Sequence, residues 1–414
     1  MQVKSHRLSI PLIIWVAAIS MIAAIASSAH AQVQTIRIVG FTPNQYAGII
    51  EQFEAQNPDI KVEVEVLPGS WGAQAEQIIV RKVAGVPFDV IRTATENFRS
   101  LVAADVFTPL TSYIQRSQGM SGAIDDIHPN LFLPFQYQED LFMLPILWNA
   151  PAMGYNVNHF DQAGLAAPAE DWTWEDFRDL ASKLTKRSSD TAAAPEIYGT
   201  ALSIDYFPML PWVKSGGARL LDDSWSESRA NSPQMAGVFE FLQRLLWENE
   251  SAVIRGGPYN PDLGTVSMWS QWGVANRPVE WSAQLWPRGE SHTSVLGVGG
   301  IGLSKTSQAP DAAWRFMEFI FTPESQRMLH QSTGAVVARN SVMNEMLRGE
   351  MADTYQVLYN VLNDVRVIPS PPSYPELERV WASILRRVVN NDISPVNAAI
   401  ELDHEIQTIL INSL

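Results

Sequence analysis

The sequence predicts an α/β protein built as two lobes, and three observations lead there. From Thr35 to Ile91, strand and helix patterns alternate at the spacing of parallel βαβ units. Leu8 to Ala26 runs almost unbroken apolar after Lys4 and Arg7 and closes on Ala29-His30-Ala31, the basic, apolar and small-residue parts of a signal peptide. Removing residues 1–31 leaves 383 of the 414 residues, more than one ordinary core and enough for two of about 150–200. The mature chain is expected to begin at Gln32 and to work outside the cytoplasm. An uncleaved anchor is the competing reading, since about 19 apolar residues can just span a bilayer; Ala29 and Ala31 favour cleavage.

Thr35–Gly40 reads as the first strand. Thr42 is the expected cap of a helix that starts at Pro43, carries Tyr46, Ile49, Ile50 and Phe53 on one face, and stops at Asn57-Pro58. Ile60, Val62, Val64 and Val66 then alternate with Lys61, Glu63 and Glu65, a strand with one covered face. A helix over Gly72–Ala84 leads through Gly85-Val86-Pro87 to a short buried strand, Phe88–Ile91. Leu141–Leu147 and Met153–Val157 flank Trp148-Asn149-Ala150-Pro151. They are either a hairpin or one strand leaving a lobe and another starting the next.

Thr173 and Asp176 form a capping box before Trp174, Phe177, Leu180 and Leu184, and Ser232-Pro233 opens a further helix. Gly256–Pro287 holds Trp269, Trp272, Trp281 and Trp286 among Gly, Pro, Asn and Ser, and is expected to be a ligand-touching loop. Val295–Leu303 is a glycine-punctuated strand. It is followed by helices holding Ala313, Phe316, Met317 and Ile320, then from Thr322-Pro323, then two in the tail, around Leu377–Val388 and from Ser394-Pro395.

Composition excludes several functions. The formal charge of −15 becomes −17 once Lys4 and Arg7 leave with the leader, which disfavours nucleic acid and anionic lipid as partners. No cysteine is present, so neither disulfides nor thiolate chemistry nor a lipid anchor is available. His128, His159, His292, His330 and His404 show no metal-ligand spacing. The glycines at 297, 299, 300 and 302 lie inside a strand and make no dinucleotide fingerprint, and no G-x-S-x-G elbow appears. Glu280-Trp281 and Trp174-Glu175-Asp176 place acids beside aromatics as sugar-cleaving clefts do, but Asp176 is already a cap. No cofactor and no metal are expected.

Several pieces, in order, carry a resemblance: Phe53-Glu54-Ala55-Gln56-Asn57-Pro58 before Ile60-Lys61-Val62; Phe88-Asp89-Val90; Met143-Leu144-Pro145 through Gly154-Tyr155-Asn156; Gly299-Gly300-Ile301-Gly302-Leu303-Ser304; Pro310-Asp311-Ala312-Ala313-Trp314-Arg315-Phe316; and Phe319-Ile320-Phe321-Thr322-Pro323-Glu324. Over nearly all of Thr35–Leu410 the chain resembles exported solute-binding proteins of ABC-type uptake systems, the family that includes maltose-binding protein. The resemblance implies a class II-like periplasmic-binding-protein fold with three crossings between lobes, near Trp148–Ala152, Gly297–Gly300 and Gly334–Arg339. Lobe 1 would hold 32–148 and 299–335; lobe 2 would hold 149–298 and 336–414. It also implies a periplasmic monomer that delivers a carbohydrate to membrane permease subunits. One departure is Gly264-Thr265-Val266-Ser267-Met268, where many relatives have a Gly-Lys-x-Ala-Met run; this weakens any transfer of ligand identity.

A sugar asks for flat aromatic platforms with polar groups in the ring plane. On that reading the ligand contacts are Trp71 after Pro68-Gly69-Ser70, Trp148 and Asn149 at the first crossing, and Trp269 and Trp272, one stacking and the other supporting. Gly299 and Gly300 would allow close backbone approach, and Arg339 would donate a fork of hydrogen bonds. Asn44, Asp89 and Tyr374 are further candidates; Trp314 reads as core. The alternative ligand is a polyol or a glycerol phosphate diester, with Arg255, Arg277 and Arg339 meeting the phosphate charge. A secreted glycoside hydrolase is the competing function class.

Overall fold

The computed structural model describes residues 33–412 except 69–70, 190–192, 274–276 and 350. The expected leader, 1–31, lies outside the described residues. The first strand, β1 (Gln34–Val39), buries Ile36, Ile38 and Val39. Helix α1 (Pro43–Gln56) follows, burying Tyr46, Ile49 and Phe53. Thr42 holds the cap position but its side chain makes no capping hydrogen bond; the pre-set φ of Pro43 starts the helix instead. Strand β2 (Ile60–Glu65) pairs in parallel with β1, Gln34 opposite Ile60 through Val39 opposite Glu65. After α2 (Trp71–Val83), β3 runs over Val90–Ala94, two residues later than expected, and passes directly into α3 (Thr95–Ala103).

Strands β4 (Met143–Asn149) and β5 (Ala152–Asn156) are not a hairpin, because they belong to different sheets. Helix α4 (Trp174–Leu184) carries the expected capping box: Asp176 N donates to Thr173 Oγ1 at 3.2 Å and Thr173 N to Asp176 Oδ2 at 2.8 Å. Then come β6 (Tyr198–Leu202), α5 (Tyr206–Ser215), α6 (Pro233–Gln243) and β7 (Ala252–Ile254).

The aromatic segment 256–287 departs from expectation. It contains β8 (Val266–Gln271), buried at all six positions, and β9 (Trp281–Gln284). A strand covered on both faces shows no alternation, and its Ser and Gln positions disguise it further. Trp269, Trp281 and Trp286 are core. The main elements after this segment are β10 (Ser294–Leu303), α7 (Pro310–Ile320), α8 (Pro323–Thr333), β11 (Val336–Val337), α9 (Ala352–Val361), β12 (Val365–Val367), α10 (Tyr374–Val389) and α11 (Pro395–Asn412). Trp314 on α7 is buried, as expected.

Two mixed sheets result. The first runs β11–β4–β10–β3–β1–β2, with β12 joined to β10; the second runs β9–β5–β8–β6–β7. Helices α7 and α8 pack with α1 on the first sheet, α9 lies against β9 and β5, and α10 and α11 pack with α6 beside the second. Where β1 turns towards α1, Gly40 adopts φ +79°, and a side chain there would strike the Arg92 carbonyl oxygen on β3. Gly40→Ala should therefore lose about 3 kcal/mol of stability from strain and overlap together, read as a lowered urea midpoint; an unchanged midpoint would show that β1 and β3 are free to part here.

Candidate functional site

Between the sheets lies a cleft of about 610 Å³, within the roughly 300–1,000 Å³ typical of small-molecule sites. One wall comes from the first sheet: Arg92 and Ala94 on β3, Glu96 on α3, Trp148 and Asn149 at the end of β4, and Gly297–Gly299 on β10. The other comes from Asp205–Pro208 at the start of α5, Arg255 after β7, Ser270 and Gln271 at the end of β8, and Tyr374 and Glu378 on α10. Many of these groups sit where strands end and helices begin, the usual ligand-facing edge of an α/β sheet. Next to Tyr374, a Cβ on Gly72 of α2 would stand 3.1 Å from Pro375 of α10, so these two helices touch there.

The cleft gathers Trp148, Asn149, Trp272, Gly299 and Tyr374 from the expected set. Trp148 is almost fully buried, and its indole N–H donates to the Val337 carbonyl at 3.0 Å, tying β4 to β11. Trp272 is half-buried; its ring meets Phe207 edge-on at 6.4 Å, and the Arg255 guanidinium lies 5.8 Å from its centroid.

Other expected residues are engaged elsewhere. Trp269 stands behind the wall, donating to Gln271 Oε1 at 2.8 Å while Arg277 covers its ring at 5.4 Å. Gly300 faces the Phe135 ring, which fills the space a side chain would need. Arg339 donates through Nε to Asp126 Oδ2 at 2.8 Å and through Nη1 to the Phe321 carbonyl at 3.2 Å. Asp89 accepts from Arg37 N at 2.7 Å and Ser307 Oγ at 2.6 Å. Asn44 is exposed, while its neighbour Gln45 lines the cleft. Trp71 begins α2, but its side chain lies outside the described residues.

Sequence reasoning missed Arg92, Glu96, Asp205, Tyr206, Phe207 and Glu378. A signal existed for two of them: Arg92 directly follows the expected strand Phe88–Ile91, and Glu96 stands two residues past the observed one, at its carboxyl end. Glu96 is 7% exposed, and its Oε2 has no hydrogen-bond partner; Asn149 Oδ1, Ser270 Oγ and Arg277 Nε are likewise buried without one. Buried polar atoms of this kind normally have partners, and these four converge on one space that a polyhydroxylated molecule could supply with hydrogen bonds.

Burial pushes Glu96 up to about 7, with Glu378 adding to the rise and Arg92 opposing it. Burial raises Glu378, Tyr206 and Tyr374 as well, and lowers Arg255.

A family model described as bacterial extracellular solute-binding protein matches residues 42–327. The chain belongs to that family. It is a solute-binding protein, not an enzyme, and it works outside the cytoplasm, as the N-terminal segment led us to expect. A putative binding protein of Brucella abortus is 28% identical over 395 residues, covering 89% of this chain and 90% of that one. Among solved structures, the Listeria monocytogenes ABC substrate-binding protein in complex with cycloalternan matches with a TM-score of 0.79 at 19% identity, covering 91% of this chain and 98% of that one. The sugar-binding protein MalE of Xanthomonas citri gives 0.76 at 19%, covering 92% and 98%. A Mycobacterium tuberculosis protein in complex with glycerophosphocholine gives 0.78 at 16%, covering 92% and 99%. The α/β architecture is thus the solute-binding protein's.

Because the folded protein holds a proton on Glu96 that the unfolded chain releases between about pH 4.5 and 7, stability should fall as pH rises through that window, by about 3 kcal/mol. Thermal unfolding of the parent and of Glu96→Gln between pH 5 and 8 checks this. The variant should lack the slope; parallel curves would contradict the assignment.

Proposed function

We propose that the protein is the carbohydrate-binding subunit of an ABC importer, taking a mono- or oligosaccharide into the cleft and passing it to membrane permease subunits as a monomer. The carrying observation is the cleft itself: Trp148, Trp272 and Tyr374 offer ring surfaces beside Asn149, Ser270, Glu96 and Arg277, whose buried polar atoms await partners. Rings cover the C–H faces of a sugar while polar groups in the ring plane take its hydroxyls. The solved relatives include proteins seen with cycloalternan, with maltose and with maltotriose.

The lobe arrangement we propose is class II-like, with lobe 1 holding 32–148 and 299–335, lobe 2 holding 149–298 and 336–414, and crossings near Trp148–Ala152, Gly297–Gly300 and Gly334–Arg339; β11 (Val336–Val337) still pairs with β4 in the first sheet, so the third boundary falls after it. The change of sheet between β4 and β5, the packing of α9 against β9 and β5 and that of α10 and α11 with α6 support this arrangement. Ligand contacts to both walls then favour the closed form, and the permease reads that form.

A glycerol phosphate diester is the second reading. Arg255 and Arg277 in the cleft favour it, as does the relative seen with glycerophosphocholine.

Titration calorimetry with mono- and oligosaccharides, polyols and phosphodiesters separates the two. A carbohydrate should bind, and Trp272→Ala should weaken it about ten-fold or more. Binding of phosphodiesters alone would replace the carbohydrate reading, and an unaffected Trp272→Ala would remove that ring from the site.

A further inference from the structure

One end of the cleft is acidic and aromatic. Glu96 on α3 faces Tyr374 and Glu378 on α10, with Tyr206 and Asp205 at the start of α5. The tyrosine rings meet edge to face with centroids 5.5 Å apart. Their hydroxyls are already directed: Tyr206 donates to the Pro369 carbonyl at 3.0 Å, and Tyr374 points at Glu378 Oε1 at 3.5 Å.

Arg92 lies within reach of Glu96, while Arg255 lies near Asp262 and the exposed Asp205. Arg277, farther along, is paired with Asp262 at 2.5 Å. Glu96 is buried and Glu378 partly so, and the two carboxyls line the same end of the cleft. Independently, the Oε2 atom of Glu96 is buried, faces the cleft and has no partner. A hydroxyl can satisfy that atom with one hydrogen bond. An ammonium group does more: it donates to carboxyls on the two walls at once, draws both into their charged forms, and sits against tyrosine rings, whose π-electrons attract a cation.

We propose that this end of the cleft is a subsite for a protonated amine, with Glu96 and Glu378 gripping it from opposite walls, so that the solute is an amino-bearing carbohydrate. The inference rests on the carbohydrate reading above and narrows it.

The test is calorimetry on the purified exported chain with two matched sets: glucose, glucosamine and N-acetylglucosamine, and cellobiose, chitobiose and N,N′-diacetylchitobiose. The N-acetyl members keep the nitrogen but lose its charge. In at least one set the amine should bind ten-fold or more tighter than its hydroxyl and N-acetyl counterparts. Glu378→Gln should bring that ratio close to one, and a ratio is insensitive to partial misfolding of the variant. Neutral members binding as tightly as the amines would overturn the inference and leave the carbohydrate reading standing. A preference that survives in Glu378→Gln would overturn the two-carboxylate subsite. No binding by any member would overturn the inference and count against the carbohydrate reading as well.

Discussion

The geometry of the cleft depends on one strand, β10, and on how closely its neighbours approach it. It lies between β3 and β4, antiparallel to both, with Gly297 opposite Asn149 and Gly299 opposite Ala94. The Phe207 ring closes on Gly297, Phe135 on Gly300 and Phe107 on Gly302, each where a side chain would stand. Thr95 Oγ1 donates to the Val298 carbonyl at 3.2 Å and accepts from its N–H at 3.0 Å, fastening the start of α3 to the strand. Glu96 is the next residue. Bulk on β10 would displace the aromatic wall and the acid together.

From that strand outward, the polar groups of the cleft fall into two neighbourhoods. Arg277, Gln271 and Trp269 form a braced unit: Arg277 Nη2 donates to Gln271 Oε1 at 2.9 Å, and the guanidinium covers two indole rings. The other end has carboxyls and tyrosines, and burial there favours their neutral forms. A solute that brings hydrogen bonds to both ends and contacts both walls binds the closed arrangement better than the open one, and capture needs no more than that difference.

Much of the fold was legible because its signals are local. The alternation of Ile60–Glu65, the capping box of Thr173 and Asp176 and the proline-led helix starts are set by residues a few positions apart. The choice at Leu141–Val157 came from the resemblance, since two apolar runs around Asn and Pro look alike in a hairpin and in a change of sheet.

The site was less legible, and the reason is sequence separation. Arg339 and Asp89 read as ligand groups because their partners, Asp126 and Ser307, are more than two hundred positions away. Glu96 and Glu378 were passed over for the same reason in reverse: each is an ordinary helical acid until the fold brings the two to one space. Trp269 looked like a loop residue because β8 is covered on both faces and its pattern shows no period.

The central claim is that the two walls close on a solute between them. The chain has no cysteine, so Val80→Cys on α2 and Glu376→Cys on α10, both exposed positions on helices from opposite walls, can carry spin labels without background. Distances between them, measured by pulsed electron resonance with and without a bound carbohydrate, should contract from a broad, longer distribution to a narrow, short one on saturation. The same distribution in both samples would contradict closure as the means of capture.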